Sequence, residues 1–364
     1  MKSELKQIFL QLVQIGMWGK AQTFSRYLSA IEWEQIYIES CKQSIQGLIY
    51  DAVCLLPKDF YPNECLWNQW SKEVLGIEKR WKHQLMTLNY LVTRFQVESK
   101  KITPIVVKGL AVAEYYQTPS HRSWGDIDLY YGSRENAFLA NKTVEKWGIP
   151  IHCSQNDSVY MLNGVAIEHH SFLIESHVLN SDIKQKKIEQ LFQENKGSHP
   201  LFIAGSPIEI LCPELEGLLL ISHSYKHLLN EGIGFRQLCD FALFLHVHGP
   251  KLQQSKIFLE LLESFKMKDW ADLLFCFCVQ YLGLSKDKLP YPIKDKKKSK
   301  KLLFALFHSG NMGAIIRRKK LSHKSPLLCK MLTTFQICRN ILIFGKYSPQ
   351  ETYGWIKSLL LSKV

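Results

Sequence analysis

The sequence lacks any apolar run of about 20 residues, the length that a helix needs to cross the hydrocarbon core of a bilayer. It also lacks a Cys-X-X-Cys pair, because its 10 cysteines are scattered. Scattered cysteines are typical of a reducing compartment rather than of a disulfide framework or a zinc ribbon. No signal-peptide cleavage pattern follows the polar residues 1–6. We therefore expect a cytoplasmic protein without a transmembrane segment.

Positive charge is in excess and is unevenly placed. The 364 residues carry a formal net charge of +13. Six lysines fall within residues 294–301, and the sequence Arg-Arg-Lys-Lys follows at 317–320. Such runs contact nucleic acid or anionic lipid in some proteins and form solvated loops in others. A solvated loop is the favoured interpretation, and nucleic-acid contact through 294–320 is the alternative.

The apolar pattern divides the chain into three regions. Residues 1–99 and 201–364 carry apolar side chains at helical spacing, whereas residues 100–200 alternate between strand-like and helix-like runs. Pro207 and Pro213 are expected near helix starts. With 46% hydrophobic residues, the chain can bury a sizeable core. The predicted fold is α+β, with a small mixed-sheet core flanked by N-terminal and C-terminal helical regions.

Short apolar runs predict the elements of the central region. Residues 102–108, 126–131 and 165–172 have the composition of strands, and residues 110–116 have that of a helix. Asn163-Gly164 favours a tight turn, which joins the last of these strands to the preceding apolar run. A β-hairpin is therefore expected just before the middle of the chain.

Asp126 and Asp128 are the residues around which the chemistry is predicted. One apolar residue separates them, and in a strand the residues i and i+2 point to the same side. Two like charges about 4 Å apart repel by roughly 4 kcal/mol at an effective dielectric near 20. The pair therefore needs a cation, a proton or water, and Mg²⁺ commonly binds one or two carboxylates together with substrate phosphates. The alternative is a surface turn without chemistry.

Three further features favour a metal and phosphate site. A buried strand is followed at once by Lys108-Gly109 and a helix, an order that exposes backbone N–H groups to a phosphate. Glu168 is a lone acid among apolar strand residues, where it is costly to bury unless it is paired or binds metal. His170 shares its strand face. Finally, Arg122 offers a planar fork for a phosphate.

The order of these pieces resembles the DNA polymerase β-like nucleotidyltransferase superfamily and, within it, the bacterial family of uncharacterised nucleotidyltransferases. The resemblance rests on Lys108-Gly109 and on residues 122–129, which have the pattern Arg-X-X-Gly-Asp-X-Asp-Leu. It also rests on an acid followed two residues later by histidine, here Glu168 and His170. The similarity extends over residues 100–245, where spaced His, Arg and Asp residues follow in a helical part.

The resemblance implies transfer of a nucleoside monophosphate from an NTP to an acceptor, with release of pyrophosphate. It implies that Asp126, Asp128 and Glu168 are catalytic and hold Mg²⁺ or Mn²⁺, since two metal ions stabilise the attacking and leaving oxygens of such a displacement. Four residues are expected to bind the nucleotide: Lys108, Gly109, Arg122 and His170. The acceptor remains open between a small molecule, a protein and RNA.

One residue departs from the pattern of the superfamily. Leu110 follows Gly109, whereas many members carry a second small residue there to support the triphosphate. Two alternatives therefore remain open. One is a catalytically weak nucleotide-binding or regulatory module, and the other is an RNA-modifying, toxin-like transferase that uses the basic C-terminal region.

Polar residues of the C-terminal region are expected near the site. His223 and His227 are four apart on one helix face, a spacing that can hold zinc. No third ligand is evident, and we expect this helix to present a polar face to substrate. Arg236 and Asp240 are also four apart and are expected to form an ion pair that supports the site. His169 points to the other side of its strand and is excluded.

Overall fold

A computed structural model describes residues 1–361 except 22, 25, 100–101, 155, 175–180, 195, 204–205, 231, 294–298 and 310–324. Within these residues the chain forms fourteen α-helices and one mixed sheet of seven strands. The predicted α+β class is confirmed. Among the described residues, no helix combines the length and the apolarity that a membrane crossing requires.

Four helices form the N-terminal region, as predicted. They are α1 (Ser3–Trp18), α2 (Ala30–Lys42), α3 (Gln46–Cys54) and α4 (Glu64–Glu98). Gly19 ends α1 with a φ of 65°, a left-handed conformation that glycine adopts at little cost. Ser29 and Asn63 begin α2 and α4, since each side chain accepts a hydrogen bond from a backbone N–H in the first turn.

The sheet is built from strands that are distant in sequence. The strands are β1 (Ile105–Val107), β2 (Ile127–Tyr130), β3 (His152–Cys153), β4 (Asp157–Leu162), β5 (Val165–His170), β6 (Ser198–Ile203) and β7 (Ser206–Leu211). Their spatial order is β3-β4-β5-β2-β1-β7-β6. At the centre, β2 is antiparallel to β1 and parallel to β5. This pairing brings the end of β1 and the start of β2 beside the middle of β5.

The turn between β4 and β5 follows from two residues. Asn163 has a φ of 52° and Gly164 a φ of 77°, the pair of positive values that a two-residue primed hairpin turn requires. The predicted hairpin is therefore confirmed. The helices of the central region are α5 (Gly109–Ala113), α6 (Arg134–Lys146) and α7 (Ser181–Gln193). The helix predicted over 110–116 is thus shorter than expected.

The sheet continues beyond residue 200, where the sequence had predicted helices. Strands β6 and β7 reach to Leu211, so the prediction of a purely helical region over 201–364 is wrong for residues 201–211. Pro207 lies in a strand, outside the stretch of β7 that pairs with β1, and there its missing N–H is tolerated. Pro213 does begin a helix. The division of the chain into three domains remains a prediction.

Among the described residues, seven further helices follow the sheet. They are α8 (Pro213–Asn230), α9 (Phe235–Leu252), α10 (Lys256–Ser264), α11 (Lys268–Tyr281), α12 (Ser299–Ser309), α13 (Pro326–Phe344) and α14 (Pro349–Leu361). Side chains of α8, α9 and α11 share a buried cluster with α1, α3 and the first half of α4. The second half of α4 and α6 share another cluster with Val106, Ile127 and Leu129. The sheet therefore lies between two apolar layers.

A buried carboxyl group connects α8 to the segment after α5. Glu216 is only 2% exposed, and its Oε2 accepts a hydrogen bond of 2.6 Å from the Tyr115 hydroxyl. Burial, together with the negative charge of Asp240, raises the pKa of the Glu216 carboxyl from 4.5 to about 7, although the Tyr115 hydrogen bond opposes this rise. The folded protein therefore holds this proton at a pH where the unfolded chain releases it.

The substitution Glu216→Gln is expected to remove a pH dependence of stability. In the wild type, the free energy of unfolding should fall as pH rises from about 4.5 to about 7 and then level off, because the unfolded chain loses the proton first. The loss from this group is roughly 3 kcal/mol, at 1.36 kcal/mol per pKa unit. Urea unfolding of both proteins between pH 4 and pH 8 measures this. An unchanged difference between the two proteins across that range would contradict the assignment.

Candidate functional site

Two central strands bring three metal-ligating side chains together. In the parallel pairing of β2 with β5, Asp128 lies directly opposite Glu168. His170 lies two residues further along β5, on the same face of the strand. One potential ligand atom from each of the three residues lies within 4.8 Å of the other two. The prediction that Glu168 and His170 share one face of their strand is confirmed, and both side chains lie close to Asp128. Their roles in the chemistry remain predictions.

Lys108 supplies positive charge to this group. It follows β1 directly, and its Nζ donates a hydrogen bond of 2.9 Å to Oδ1 of Asp128. The same Nζ lies 3.2 Å from Nε2 of His170. Its backbone has φ 56° and ψ −136°, a conformation that is strained for any residue with a Cβ and that costs about 1–3 kcal/mol. Such strain commonly accompanies functional positions.

His170 is held by carboxylates on both sides of its ring. Its Nε2 lies 2.7 Å from Oδ1 of Asp128, and its Nδ1 lies 2.8 Å from Oδ1 of Asp157. A ring that donates from both nitrogens is protonated. Burial and Lys108 act to lower the pKa of His170, but the hydrogen bonds to the two carboxylates outweigh them and raise it to about 9. At neutral pH this side chain is therefore a cation.

Asp157 is a residue of the site that sequence reasoning missed. It lies opposite His170 in the β4–β5 hairpin. The signal was present, because counting outward from the Asn163-Gly164 turn places Asp157 and His170 at equal distances from its centre. No role was predicted for Asp157, because the apolar run expected before that turn began only at Val159.

The two acidic residues on the strands differ in their protonation. Burial would raise the pKa of Asp128, but Lys108 and His170 together hold it well below its ordinary value. Burial raises the pKa of Glu168 to about 7, with the Asp128 charge adding to this and His170 and Lys108 opposing it. The site therefore holds one carboxylate that is ionised at any physiological pH and one that exchanges a proton near neutrality.

Asp126 is placed differently from the expectation of two carboxylates on one strand face. It precedes β2 and is exposed, and it is not among the three residues whose ligand atoms converge. Gly109 lies nearby. A Cβ added there would lie 3.8 Å from the backbone oxygen of Asp126 and 4.0 Å from Nη1 of Arg122. Neither packing nor a positive φ requires glycine at this position.

Arg122 is committed to an intramolecular ion pair. Its Nε donates to Oδ1 of Asp240 at 2.8 Å, and its Nη2 donates to Oδ2 at 2.7 Å. The Tyr116 hydroxyl donates to the same Oδ1 at 2.7 Å. Both charged side chains are 5% exposed. The guanidinium fork predicted to bind phosphate is thus occupied, and it joins the turn before β2 to helix α9.

The expected pairing of Arg236 with Asp240 is wrong. Although the two residues are one helical turn apart, the oxygens of Asp240 face Arg122 and Tyr116 instead. Nη1 of Arg236 instead donates to the backbone oxygen of Ser123, at 3.3 Å. Asp240 therefore pairs with Arg122, which is distant in sequence and also buried, and not with Arg236 on the same helix.

The remaining residues discussed in the sequence analysis lie as follows. Nε2 of His223 lies 2.9 Å from Nε2 of His227, and neither residue belongs to a group of three potential metal ligands within the described chain. His169 is buried against Tyr131 and faces away from the site, as predicted. Leu110 is 3% exposed and packs in the apolar cluster behind the sheet. The predicted contact segment, 294–320, lies mostly outside the described residues.

A cavity of about 850 Å³ lies at the other end of β1 and β2. It is lined by the start of β1 at Ile105 and by the residues after β2, such as Gly132 and Arg134. None of the seven predicted site residues lines it. The converging carboxylates therefore mark the candidate site better than this cavity does.

The donor atoms of the site fit a divalent cation that prefers oxygen. Asp128 and Glu168 each provide carboxylate oxygens, which are the ligands that Mg²⁺ and Mn²⁺ prefer. His170 is protonated by its two carboxylate partners and would first have to lose that proton to act as a ligand. The structure thus supports a possible acidic metal site built on the two carboxylates, with Asp126 next to it in sequence.

Comparison with known proteins gives a family for most of the chain. A family model described as "Uncharacterised nucleotidyltransferase" matches residues 29–283. Among solved structures, a match is an antigenic nucleotidyltransferase-like protein from Paracoccidioides brasiliensis. It is 16% identical, covers 49% of this chain and 85% of that chain, and has a TM-score of 0.31, which is too low to support an argument. No curated protein matches the chain.

The substitution Asp240→Ala is expected to destabilise the protein by about 3–5 kcal/mol, because it leaves the buried Arg122 guanidinium without a partner. Adding Arg122→Met should restore part of that loss, since the uncompensated charge is then gone. Urea unfolding measures both effects. Glu145→Ala, which removes the partner of the exposed Lys142, is the control and should cost much less. An Asp240→Ala protein as stable as the control would contradict this structural role.

Proposed function

This chain belongs to the family of uncharacterised nucleotidyltransferases, and we propose that it transfers a nucleoside monophosphate from an NTP to an acceptor hydroxyl. The observation that carries the proposal is the convergence of Asp128, Glu168 and His170 on adjacent strands, beside Lys108. We further propose that Asp126, Asp128 and Glu168 hold Mg²⁺ or Mn²⁺. A divalent ion bound there would neutralise charge on the phosphates and on the displaced oxygen.

The proposed reaction is an in-line displacement at the α-phosphorus. The acceptor oxygen forms a new bond to that phosphorus with its lone pair, and the bond to the oxygen that bridges the α- and β-phosphorus breaks. The bonding electrons leave with pyrophosphate. The acceptor proton passes to the Glu168 carboxylate, which would act as the general base.

The remaining predicted residues receive separate roles in the proposal. Lys108 and His170 compensate the charge of Asp128 and keep it ionised. Gly109 has no side chain of its own, and we propose that its backbone approaches the nucleotide phosphates beside Nη1 of Arg122. Arg122 has a positioning role, because its ion pair with Asp240 holds in place the turn that leads to Asp126. We propose on the same residues that the chain belongs to the wider DNA polymerase β-like superfamily.

A nucleotide-binding module without turnover is the second candidate. Lys108 and His170 both contact Oδ1 of Asp128, which is an oxygen that a metal ion would otherwise use. If these cations are not displaced, the protein would bind a nucleotide and fail to transfer it. Binding without transfer distinguishes this candidate from the enzyme.

NTP binding is expected to depend on a divalent cation. Each of the four NTPs is titrated calorimetrically with Mg²⁺, with Mn²⁺ and with excess chelator. The NTP that binds best should do so about tenfold or more tightly with metal, which corresponds to about 1.4 kcal/mol. Asp128→Asn should abolish this gain, and Asp59→Asn, at an exposed turn residue, should preserve it. Equal affinity with chelator and with Mg²⁺ would remove the metal site.

The substitutions Asp126→Asn, Asp128→Asn and Glu168→Gln are expected each to lower turnover by roughly 100-fold or more, since several kcal/mol of charge stabilisation are lost. Shape is retained, so folding should persist. The losses should not multiply, because one missing ligand already disables the group. Glu34→Gln, on an exposed face of α2, is the matched control.

Turnover is measured by pyrophosphate release with an accepted NTP and acceptor. Two results would exclude a shared metal-holding unit. One is turnover close to that of the wild type in the Asp128→Asn protein. The other is a double substitution at Asp126 and Asp128 whose loss equals the product of the two single losses.

A further inference from the structure

The cations of the site differ in whether they have carboxylate partners. Lys108 is engaged by Asp128, and Arg122 is engaged by Asp240 through two hydrogen bonds. Arg236 has no carboxylate oxygen within 4 Å among the residues that the structure describes. Arg236 is half-buried, and a partly desolvated guanidinium group without a carboxylate partner is unusual, because desolvation of a charge is costly unless the charge is paired.

The hydrogen bonds of Arg236 are also incomplete. Its Nε is shielded from solvent and has no hydrogen-bond partner among the described residues. Its contact through Nη1, to the backbone oxygen of Ser123, is long at 3.3 Å. An unsatisfied buried donor costs about 1–3 kcal/mol, and more when it is charged. The fold therefore retains a cation whose donors are available to a group that is not part of the protein.

The surroundings of Arg236 have an excess of positive charge. Nη1 of Arg122 also lies 3.4 Å from the Ser123 oxygen, so two guanidinium groups converge on one carbonyl. Asp240 forms its ion pair with Arg122, whereas the carboxylates of Asp240 and Asp126 act on Arg236 only from beyond ion-pair distance. Burial, followed by the charge of Arg122, lowers the pKa of Arg236 below its ordinary value. An anion bound here would relieve this repulsion.

Arg236 lies beside the proposed reaction centre rather than within it. Ser123 is three residues before Asp126 in the turn that leads to β2. The Arg122 guanidinium that shares its oxygen is 4.0 Å from the position of a Cβ on Gly109. The Arg122 side chain and residues 123–126 therefore lie between Arg236 and the Lys108–Asp128 group. A ligand that spans this distance needs negative charge at both ends.

We propose that Arg236 binds the two phosphates of the NTP that are not transferred, and therefore acts as a specificity residue for the triphosphate form of the nucleotide. This rests on the proposed function, which places the transferred phosphate at the carboxylates, where Lys108 and His170 already supply positive charge. The pyrophosphate end requires a further cation, and Arg236 is a cation without a carboxylate partner in the part of the chain that the structure describes. Its planar fork suits phosphate oxygens in pairs.

The test compares the binding of three probes, each with Mg²⁺, by calorimetry: inorganic triphosphate, inorganic pyrophosphate and AMP. In the Arg236→Gln protein, affinity for triphosphate and pyrophosphate should fall by about tenfold or more, as expected for loss of a charge-assisted hydrogen-bond pair. Affinity for AMP should change less than about threefold. Arg80→Gln, which makes the same change of net charge at an exposed position of α4, should bind all three probes as the wild type does.

A second measurement does not depend on the stability of the Arg236→Gln protein. In ¹⁵N spectra of the wild type, the Nε–H signal that is absent from the Arg236→Lys protein belongs to Arg236. This signal should shift on addition of triphosphate and remain in place on addition of AMP. The Lys variant keeps the charge and loses the fork, so its triphosphate affinity should lie between those of the wild type and the Gln variant.

The outcomes separate the inference from the proposed function. If the wild type binds triphosphate and an NTP, but Arg236→Gln binds triphosphate equally well or loses AMP affinity instead, the role of Arg236 is overturned and the proposed function stands. An unmoved Arg236 signal at saturating triphosphate overturns it as well. If the wild type binds neither triphosphate nor any NTP with Mg²⁺, the proposed function fails together with the inference.

Discussion

The buried negative charge of Asp128 is the constraint on which the rest of the site depends. At 7% exposure, an ionised carboxylate requires compensation, because transfer of a charge out of water is costly. Lys108 provides it from the end of β1, and His170 provides it from β5, with Asp157 holding the other side of the ring. The antiparallel and parallel pairings of β2 bring these elements together. The pairing of the strands therefore determines which positive charges compensate Asp128.

A second charge pair connects this centre to the helical C-terminal region. Asp240 on α9 binds Arg122 just before the turn to Asp126, so α9 positions the turn. The pairing also affects which cation remains for a ligand, since Asp240 forms its ion pair with Arg122 and no ion pair of Arg236 is found among the described residues. The charged groups of the site then have separate proposed roles. The carboxylates are assigned to the reacting phosphate, and the guanidinium is assigned to the leaving group.

Local rules predicted the parts of the structure that depend on neighbouring residues. Asn163 and Gly164 are residue types that tolerate the positive φ values of their turn, and the Ser133 side chain caps the start of α6. Properties set by distant partners were not predictable in this way. The i, i+4 spacing suggested that Arg236 pairs with Asp240, but Arg122 lies 118 residues away in sequence and takes that carboxylate. The strands β6 and β7 were missed because Pro207 indicated a helix start, whereas the tolerance for proline arises from pairing that only the sheet reveals.

The central claim is that the site transfers the α-phosphate of an NTP, and the position of a radioactive label tests it most directly. The protein is incubated with Mg²⁺ or Mn²⁺ and each NTP, labelled either at the α- or at the γ-phosphorus, together with candidate acceptors: hydroxyl-containing small molecules, RNA and protein. The predicted result is that the α-label becomes covalently attached to an acceptor and the γ-label is released as pyrophosphate. Attachment of the γ-label, or stable NTP binding with neither label attached to any acceptor, would contradict nucleotidyl transfer.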